Sequence, residues 1–346
     1  MNKLRLSIYC VLVIFSISSI AYAEEFTAVK FIEGSSKTFS SYPAAEARMA
    51  RTARVWISYI VNKDGTVSQP MIEQINNAAF SDTIIKWTTF LDFEPAMLDG
   101  EPVDSLVRER RGFDIAYGQR SGRVSTTLFN KLNKQFGEEL AKPQPNQKRL
   151  EKLLKKLLKI RHGGALAYEF ISRRRYQLAK KFLDRDAQIY AVRERILSND
   201  RGIVAENGTI IDQELIGLLL EAGYQGEALE AYNNARRKLN SAQRSRLWDL
   251  FGEKITQIRE NIDNDQEFAR SISIGDNGYM FLPMLKRNFK FADVEGELNT
   301  LKLRCDRRFE KFNYTADSEY QLQAKWGACQ LQVLGTSGSN AQLIQF

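Results

Sequence analysis

The sequence predicts an α+β protein in three parts: a small antiparallel sheet with one helix, an all-α region, and a small β-rich unit. Apolar and polar residues alternate over residues 54–61, which is typical of a half-buried strand. Helical periodicity then dominates residues 126–270, and alternation returns over 298–305 and 326–335. At about 100–200 residues per domain, a chain of 346 residues has room for two to three domains.

The amino-terminal segment, residues 1–23, has the pattern of a secretory signal peptide. Lys3 and Arg5 form a positive head, residues 6–20 are apolar, and small residues stand within 21–23. The sequence therefore predicts an exported protein with a cleaved signal. The alternative is an uncleaved membrane anchor, although the apolar run is shorter than the roughly 20 residues that a spanning helix needs.

Cysteine usage agrees with export. Once Cys10 leaves with the signal, Cys305 and Cys329 remain, and an even count in an oxidising compartment favours a disulfide. No Cys-x-x-Cys spacing is present, so we expect a structural link between two strands of the carboxyl-terminal unit. Closing a loop of this size stabilises a fold by about 3 kcal/mol in the chain-entropy model.

The formal net charge is +8. An ordinary solvated surface explains this value, and contact with anionic lipid head groups or an acidic partner stays open. Because an exported protein rarely meets nucleic acid and no nucleic-acid-binding pattern is present, we expect no nucleic-acid partner.

The first domain is predicted over residues 42–117, after a lead-in segment at 24–41. Asp64-Gly65 supplies a hairpin turn between the strand at 54–61 and a return strand. Pro70 lies inside that return strand and is tolerated only at an edge or a bulge.

An amphipathic helix is predicted over residues 79–91 and a last strand over 106–115, with an Asp99-Gly100 turn between them. The apolar stripe of the helix recurs at i, i+4, i+7 and i+11 and is expected to pack on the sheet. Its members are Phe80, Ile84, Trp87 and Leu91.

The order and spacing of these pieces over residues 42–117 resemble the carboxyl-terminal domain of the TonB family. The matching motifs are Tyr42-Pro43, Asp64-Gly65, Phe93-Glu94-Pro95 and the Asp-Gly-x-Pro-Val run at 99–103. The sequence departs from the family at Ala53, where the family has Gly, at Leu91, where it has Trp, and at 75–77, where it has a Ser-Gly segment. These departures imply that the chain would belong to a divergent branch of the family.

That family crosses the periplasm and acts on outer-membrane transporters, so the resemblance implies a periplasmic location and a protein partner. The partner would be an outer-membrane transporter or another component of the TonB system. In the family an extended segment of the transporter adds as a strand to the sheet. The candidate partner-binding residues lie on the matching last strand: Leu106, Arg108, Arg110, Arg111 and Phe113. Equally, the arginines could protect a sheet edge from aggregation.

The middle of the chain, residues 124–270, is predicted to be helical. Leucines at i, i+3, i+4, i+7 and i+8 form one face of a helix over residues 148–161, which suits a bundle helix or one lying on a membrane surface. Residues 215–239 form a predicted helical hairpin with its turn at Gly223. The small–aromatic–small spacing of its second helix is similar to a tetratricopeptide repeat, which implies a peptide-binding groove, with a plain helical bundle as the alternative. The members of that spacing are Ala228, Tyr232 and Ala235.

The carboxyl-terminal unit, residues 271–346, is predicted to be a small sheet that ends in a strand at Phe346. Motifs for catalysis, metal ligation and cofactor binding are lacking, and His162 stands alone. We therefore expect a protein that is not an enzyme and has no metal or cofactor. The leading expectation is a TonB-like adaptor of an envelope transport system, and the alternative is an envelope scaffold or assembly factor with no transport role. Partner identity, transported substrate and oligomeric state stay open.

Overall fold

The fold is described from a computed structural model, which shows a protein of mixed α and β structure. The described residues are 25–33, 42–49, 51–113, 126–160, 165–199, 205–264 and 266–346. The predicted signal peptide, Cys10, the 118–123 linker, His162 and the end of the predicted strand at Ile115 lie outside these residues.

The first unit, residues 25–113, contains one sheet of three nine-residue strands, together with two α-helices and several strands of two or three residues. A 3₁₀ turn at Ala78–Phe80 leads into the second helix. The helices are α1 (Ala44–Arg48) and α2 (Ser81–Thr88). The strands are β1 (Phe26–Thr27), β2 (Lys30–Phe31), β3 (Ala53–Val61), β4 (Val67–Ile75), β5 (Phe93–Glu94), β6 (Ala96–Leu98), β7 (Glu101–Val103) and β8 (Ser105–Phe113).

The long strands form an antiparallel sheet in the order β4-β3-β8. Gly65 has a φ of 82°, as the predicted hairpin turn requires. Pro70 lies on β4, an edge strand whose pairing with β3 shifts register, so the predicted constraint on Pro70 is met.

The helical stripe packs on the sheet as predicted. Phe80, Ile84 and Leu91 are buried with the apolar face of β3, and Trp87 packs against the same core. Helix α2 is shorter than the predicted 79–91 and ends at Thr88. The Thr88 hydroxyl donates to the backbone carbonyl of Ile85 at 2.7 Å, a local bond that competes with continuation of the helix.

The second face of β3 differs from the prediction of a half-buried strand. Arg54, Ser58 and Ile60 on that face are also buried. The reason is tertiary, because the other two units of the chain pack on this face. Trp56 keeps 38% exposure.

The predicted lead-in segment contributes two of the short strands. β1 pairs with β6, and β2 pairs with β5. Each strand has only two residues, too few for any periodic signal.

The middle unit is helical, and its leucine-rich helix α4 belongs to the bundle. The buried face of α4 packs in a core with α3 and α5, so the bundle-helix interpretation is the one observed. The turn between α7 and α8 holds Gly223 at a φ of 75°, which confirms the predicted hairpin. The helices are α3 (Thr126–Leu140), α4 (Gln147–Lys159), α5 (Ala165–Phe182), α6 (Arg185–Ser198), α7 (Ala205–Glu221), α8 (Gln225–Lys238) and α9 (Ser241–Asp263).

The carboxyl-terminal unit is a β-sandwich, with two four-stranded antiparallel sheets around one core. One sheet has the order β10-β15-β12-β13 and the other β14-β11-β16-β9. Cys305 and Cys329 face each other across β12 and β15, with sulfur atoms 2.02 Å apart, as the predicted disulfide requires. The strands are β9 (Phe268–Ser273), β10 (Tyr279–Pro283), β11 (Asn288–Glu295), β12 (Leu298–Cys305), β13 (Arg308–Asn313), β14 (Glu319–Gln321), β15 (Cys329–Gly335) and β16 (Asn340–Gln345).

The sequence places residues 268–270 in the helical region, whereas they begin β9 and pair with β16. Helix α9 ends at Asp263. Three strand residues after a 23-residue helix give no alternation to recognise.

Candidate functional site

The predicted partner-binding residues lie on β8, an outer strand of the β4-β3-β8 sheet. Because side chains alternate along a strand, the five residues divide between the two faces. Leu106, Arg108 and Arg110 share the face of Ser58, whereas Arg111 and Phe113 share the face of α2. The strand thus does not present them as one surface.

Arg108 is held by two carboxylates of the same chain. It bonds Glu73 of β4 at 2.7 Å and pairs with Glu230 of α8. Burial by itself would lower the pKa of Arg108, but the hydrogen bonds and charges of Glu73 and Glu230 outweigh it and raise that pKa. Arg108 therefore ties the first sheet to the helical unit.

Arg110 binds the carboxyl end of α6. Its guanidinium donates to the carbonyl oxygens of Ile196, at 3.3 Å, and Leu197. The last carbonyls of a helix lack intrahelical donors and carry partial negative charge, so a cation is favoured there.

The remaining three residues contact neighbours within the first unit. Arg111 pairs with Glu109 at 2.6 Å and lies 5.3 Å from the ring centre of Trp87. Phe113 meets the ring of Trp87 edge-on at 6.0 Å. Leu106 is half-buried opposite Ile60. Arg108, Arg110 and Arg111 are thus bound by other residues of the same chain.

Glu109 also accepts a hydrogen bond from a buried tyrosine. The Tyr59 hydroxyl donates to the Glu109 carboxylate at 2.9 Å. Burial and the negative charge of Glu109 raise the pKa of Tyr59, which therefore stays protonated at neutral pH.

The β-sandwich reaches the Ser58 face of the sheet through Arg304. The guanidinium of this fully buried residue donates to Ser58 Oγ at 3.1 Å and to the Gln69 carbonyl at 2.9 Å. Burial lowers the pKa of Arg304 to about 10, well above neutrality, so the group is charged. Neighbouring Lys302 donates to Gln69 Oε1 at 2.9 Å.

Glu73, Glu230 and Arg304 were not among the residues predicted from the sequence. Each stands at a polar position of a regular strand or helix, and only the packing of distant segments brings them to β8. No local pattern could have identified them.

A cleft of about 90 Å³ lies where the α7–α8 turn meets β9 and β10. Glu227 and Arg270 pair at its wall. Within the described residues, the second oxygen of Glu227 and Gln225 Oε1 have no hydrogen-bond donor. The cleft is large enough for a few water molecules, which would supply those donors.

The described part of the chain holds no group of three or more side chains suited to a metal ion. Among the same residues, no helix combines the length and the apolar character needed to cross a membrane. The disulfide is compatible with a periplasmic or extracellular location.

Comparison with known proteins finds no matching family model and no matching curated protein.

The anchoring contacts of β8 can be tested with Arg108→Ala. This change leaves Glu73, only 7% exposed, without its cation. We expect a loss of about 1–3 kcal/mol in the free energy of unfolding, measured by urea denaturation. Solvent reaches Arg108 and keeps the effect below that of a fully buried pair.

Arg185→Ala is the matched control, since Arg185 and Glu221 form an ion pair with both side chains about half exposed. Its loss should stay below about 1 kcal/mol. Equal losses in the two variants would show that Arg108 is an ordinary surface cation.

Proposed function

We propose that this chain is a non-catalytic adaptor protein of the cell envelope that binds its partner by strand addition at β8. The partner would be an outer-membrane transporter or another component of a TonB-like transport system. The observation that carries the proposal is the position of β8, which is one of the two outer strands of its sheet within the described residues.

The covering of both faces of the sheet favours recognition through the main chain of β8. Helix α2 covers one face, and α6 with the β-sandwich covers the other. Within the described residues, no strand pairs with the side of β8 that is directed away from β3. Strand addition uses main-chain hydrogen bonds for affinity, so it is compatible with Arg108 and Arg110 being engaged elsewhere.

The order of motifs in the first unit points in the same direction. The hairpin at Gly65, the crossing helix α2 and the turn at Asp99-Gly100 follow one another as the TonB resemblance implies. The helical unit would hold a second protein in a peptide groove, and the disulfide suits the periplasm. Membrane-surface contact through the leucines of α4 would require them to leave their core.

Photo-crosslinking in living cells tests the proposal. A photoreactive phenylalanine analogue replaces the half-buried Leu106 on β8. We expect a crosslink to an outer-membrane transporter or to a subunit of the energising complex, identified by mass spectrometry. The matched control carries the same analogue at Leu183, which is 40% exposed between α5 and α6. A crosslink of equal yield from both positions, or none from Leu106, would contradict strand addition.

The second candidate is an envelope scaffold or assembly factor without a transport role. The engagement of Arg108 and Arg110 by the helical unit favours it, because these side chains then hold the units together. A deletion strain separates the two functions. Loss of uptake of an outer-membrane-transported substrate supports transport, whereas normal uptake with altered envelope composition supports a scaffold. Neighbouring genes for a transporter or for proton-channel subunits would also favour transport.

A further inference from the structure

The β-sandwich meets the first sheet through a polar surface. Its outward face carries Lys302 and Arg304 on β12, with Gln332 and Gln330 opposite them on β15. The apolar neighbours of these residues point the other way, into the sandwich core. The facing partners in the first sheet are polar groups of Ser58 and Gln69.

This surface is incompletely satisfied. Arg304 Nε, Gln330 Oε1 and Gln332 Oε1 are buried and, within the described residues, make no hydrogen bond. Buried polar atoms without partners destabilise the state that buries them, and they regain hydrogen bonds when water reaches them. Separation of the sandwich from the first sheet would therefore let these three atoms bond water, which lowers the free-energy cost of undocking.

The same contact reaches the beginning of β8. Ser105 Oγ donates to the carbonyl oxygen of Asp306, in the turn between β12 and β13. In the same turn the guanidinium of Arg307 lies 4.6 Å from the ring centre of Phe26 on β1. The Cys305–Cys329 bond adjoins this turn, so the turn moves with the sandwich.

We propose that the β-sandwich is a releasable cover over the first residues of β8, and that its undocking controls access of the partner strand. This inference rests on the proposed function, whose strand-addition site it regulates. A partner strand can pair along the whole of β8 only after the turn at Asp306 has moved away from Ser105. A polar interface with unpaired groups suits reversible release better than an apolar one does.

Amide hydrogen exchange tests the cover without any partner, so its result is independent of the crosslinking experiment. Two variants weaken the interface, Arg304→Met and Lys302→Ala. We expect exchange at residues 105–108 to rise by about fivefold to thirtyfold in each. Amides of β15 in the sandwich core should keep their wild-type rates. Lys290→Ala, on β11 in the other sheet, is the matched control and should change neither segment.

Unchanged exchange at 105–108 in folded variants would overturn the proposal. Equal acceleration of 105–108 and of β15 would overturn it too, because the sandwich would then be unfolding rather than undocking. Should Arg304→Met fail to fold, Lys302→Ala decides, since Lys302 is only partly buried.

Discussion

Replacing Ile84 with alanine is expected to lower the free energy of unfolding of the first unit by about 2–5 kcal/mol. Ile84 is fully buried between α2 and the sheet, in the same core as Phe80 and Tyr59. The change removes buried methyl and methylene groups and leaves a cavity under the helix. Because whole domains are stable by only about 5–15 kcal/mol, this loss would be a large share of the total stability.

Ile85→Ala provides the control one residue away. Ile85 lies on the same helix but is only half-buried. Both changes have the same helix propensity effect, so the difference between the variants in urea denaturation reports the core contact alone. Similar losses in both variants would mean that α2 does not pack on the sheet through Ile84.

Removing the disulfide is expected to destabilise the β-sandwich by about 3 kcal/mol. Cys305 and Cys329 are buried and lie 24 positions apart in the sequence. The double change Cys305→Ala and Cys329→Ala frees this loop in the unfolded chain. Guanidinium denaturation, followed by a probe in the sandwich, measures the change.

Wild-type protein in a reducing agent is the control for that experiment. It should unfold at the same denaturant concentration as the double-alanine variant. A variant within about 0.5 kcal/mol of the oxidised wild type would contradict a stabilising role, since that is the range of ordinary surface substitutions. The helical unit should be unaffected in every case.

Local periodicity was sufficient to predict the elements with strong patterns. The alternation in residues 54–61 corresponds to β3, and the leucine face of α4 corresponds to a buried helix. The turns at Gly65 and Gly223 followed from the freedom of glycine to adopt positive φ. In each case, the signal and the structure it specifies lie within one short stretch of chain.

Features that depend on distant segments were not predictable. The two-residue strands β1 and β2 exist because β6 and β5 lie beside them. β3 is buried on both faces because α6 and Arg304 arrive from far along the chain. The same holds for the site, since the pairing of Arg108 with Glu230 joins residues 122 positions apart.

The engagement of the arginines changes how recognition at β8 should work. A partner strand that bonded their side chains would have to displace Glu73 and Glu230, or the carbonyls at the end of α6. Main-chain pairing needs no such exchange. We therefore expect partner sequences to vary more than a charge-specific contact would allow.

The most direct measurement of strand addition is residue-resolved amide exchange over β8, with and without the partner segment. The probe is a synthetic peptide of the segment crosslinked from Leu106. Alternate residues of an edge strand direct their N–H groups away from the sheet, so every second amide within Ser105–Phe113 should become protected when the peptide binds. Unchanged exchange along β8 in the presence of bound peptide would contradict the account, because the partner would then bind elsewhere on the protein.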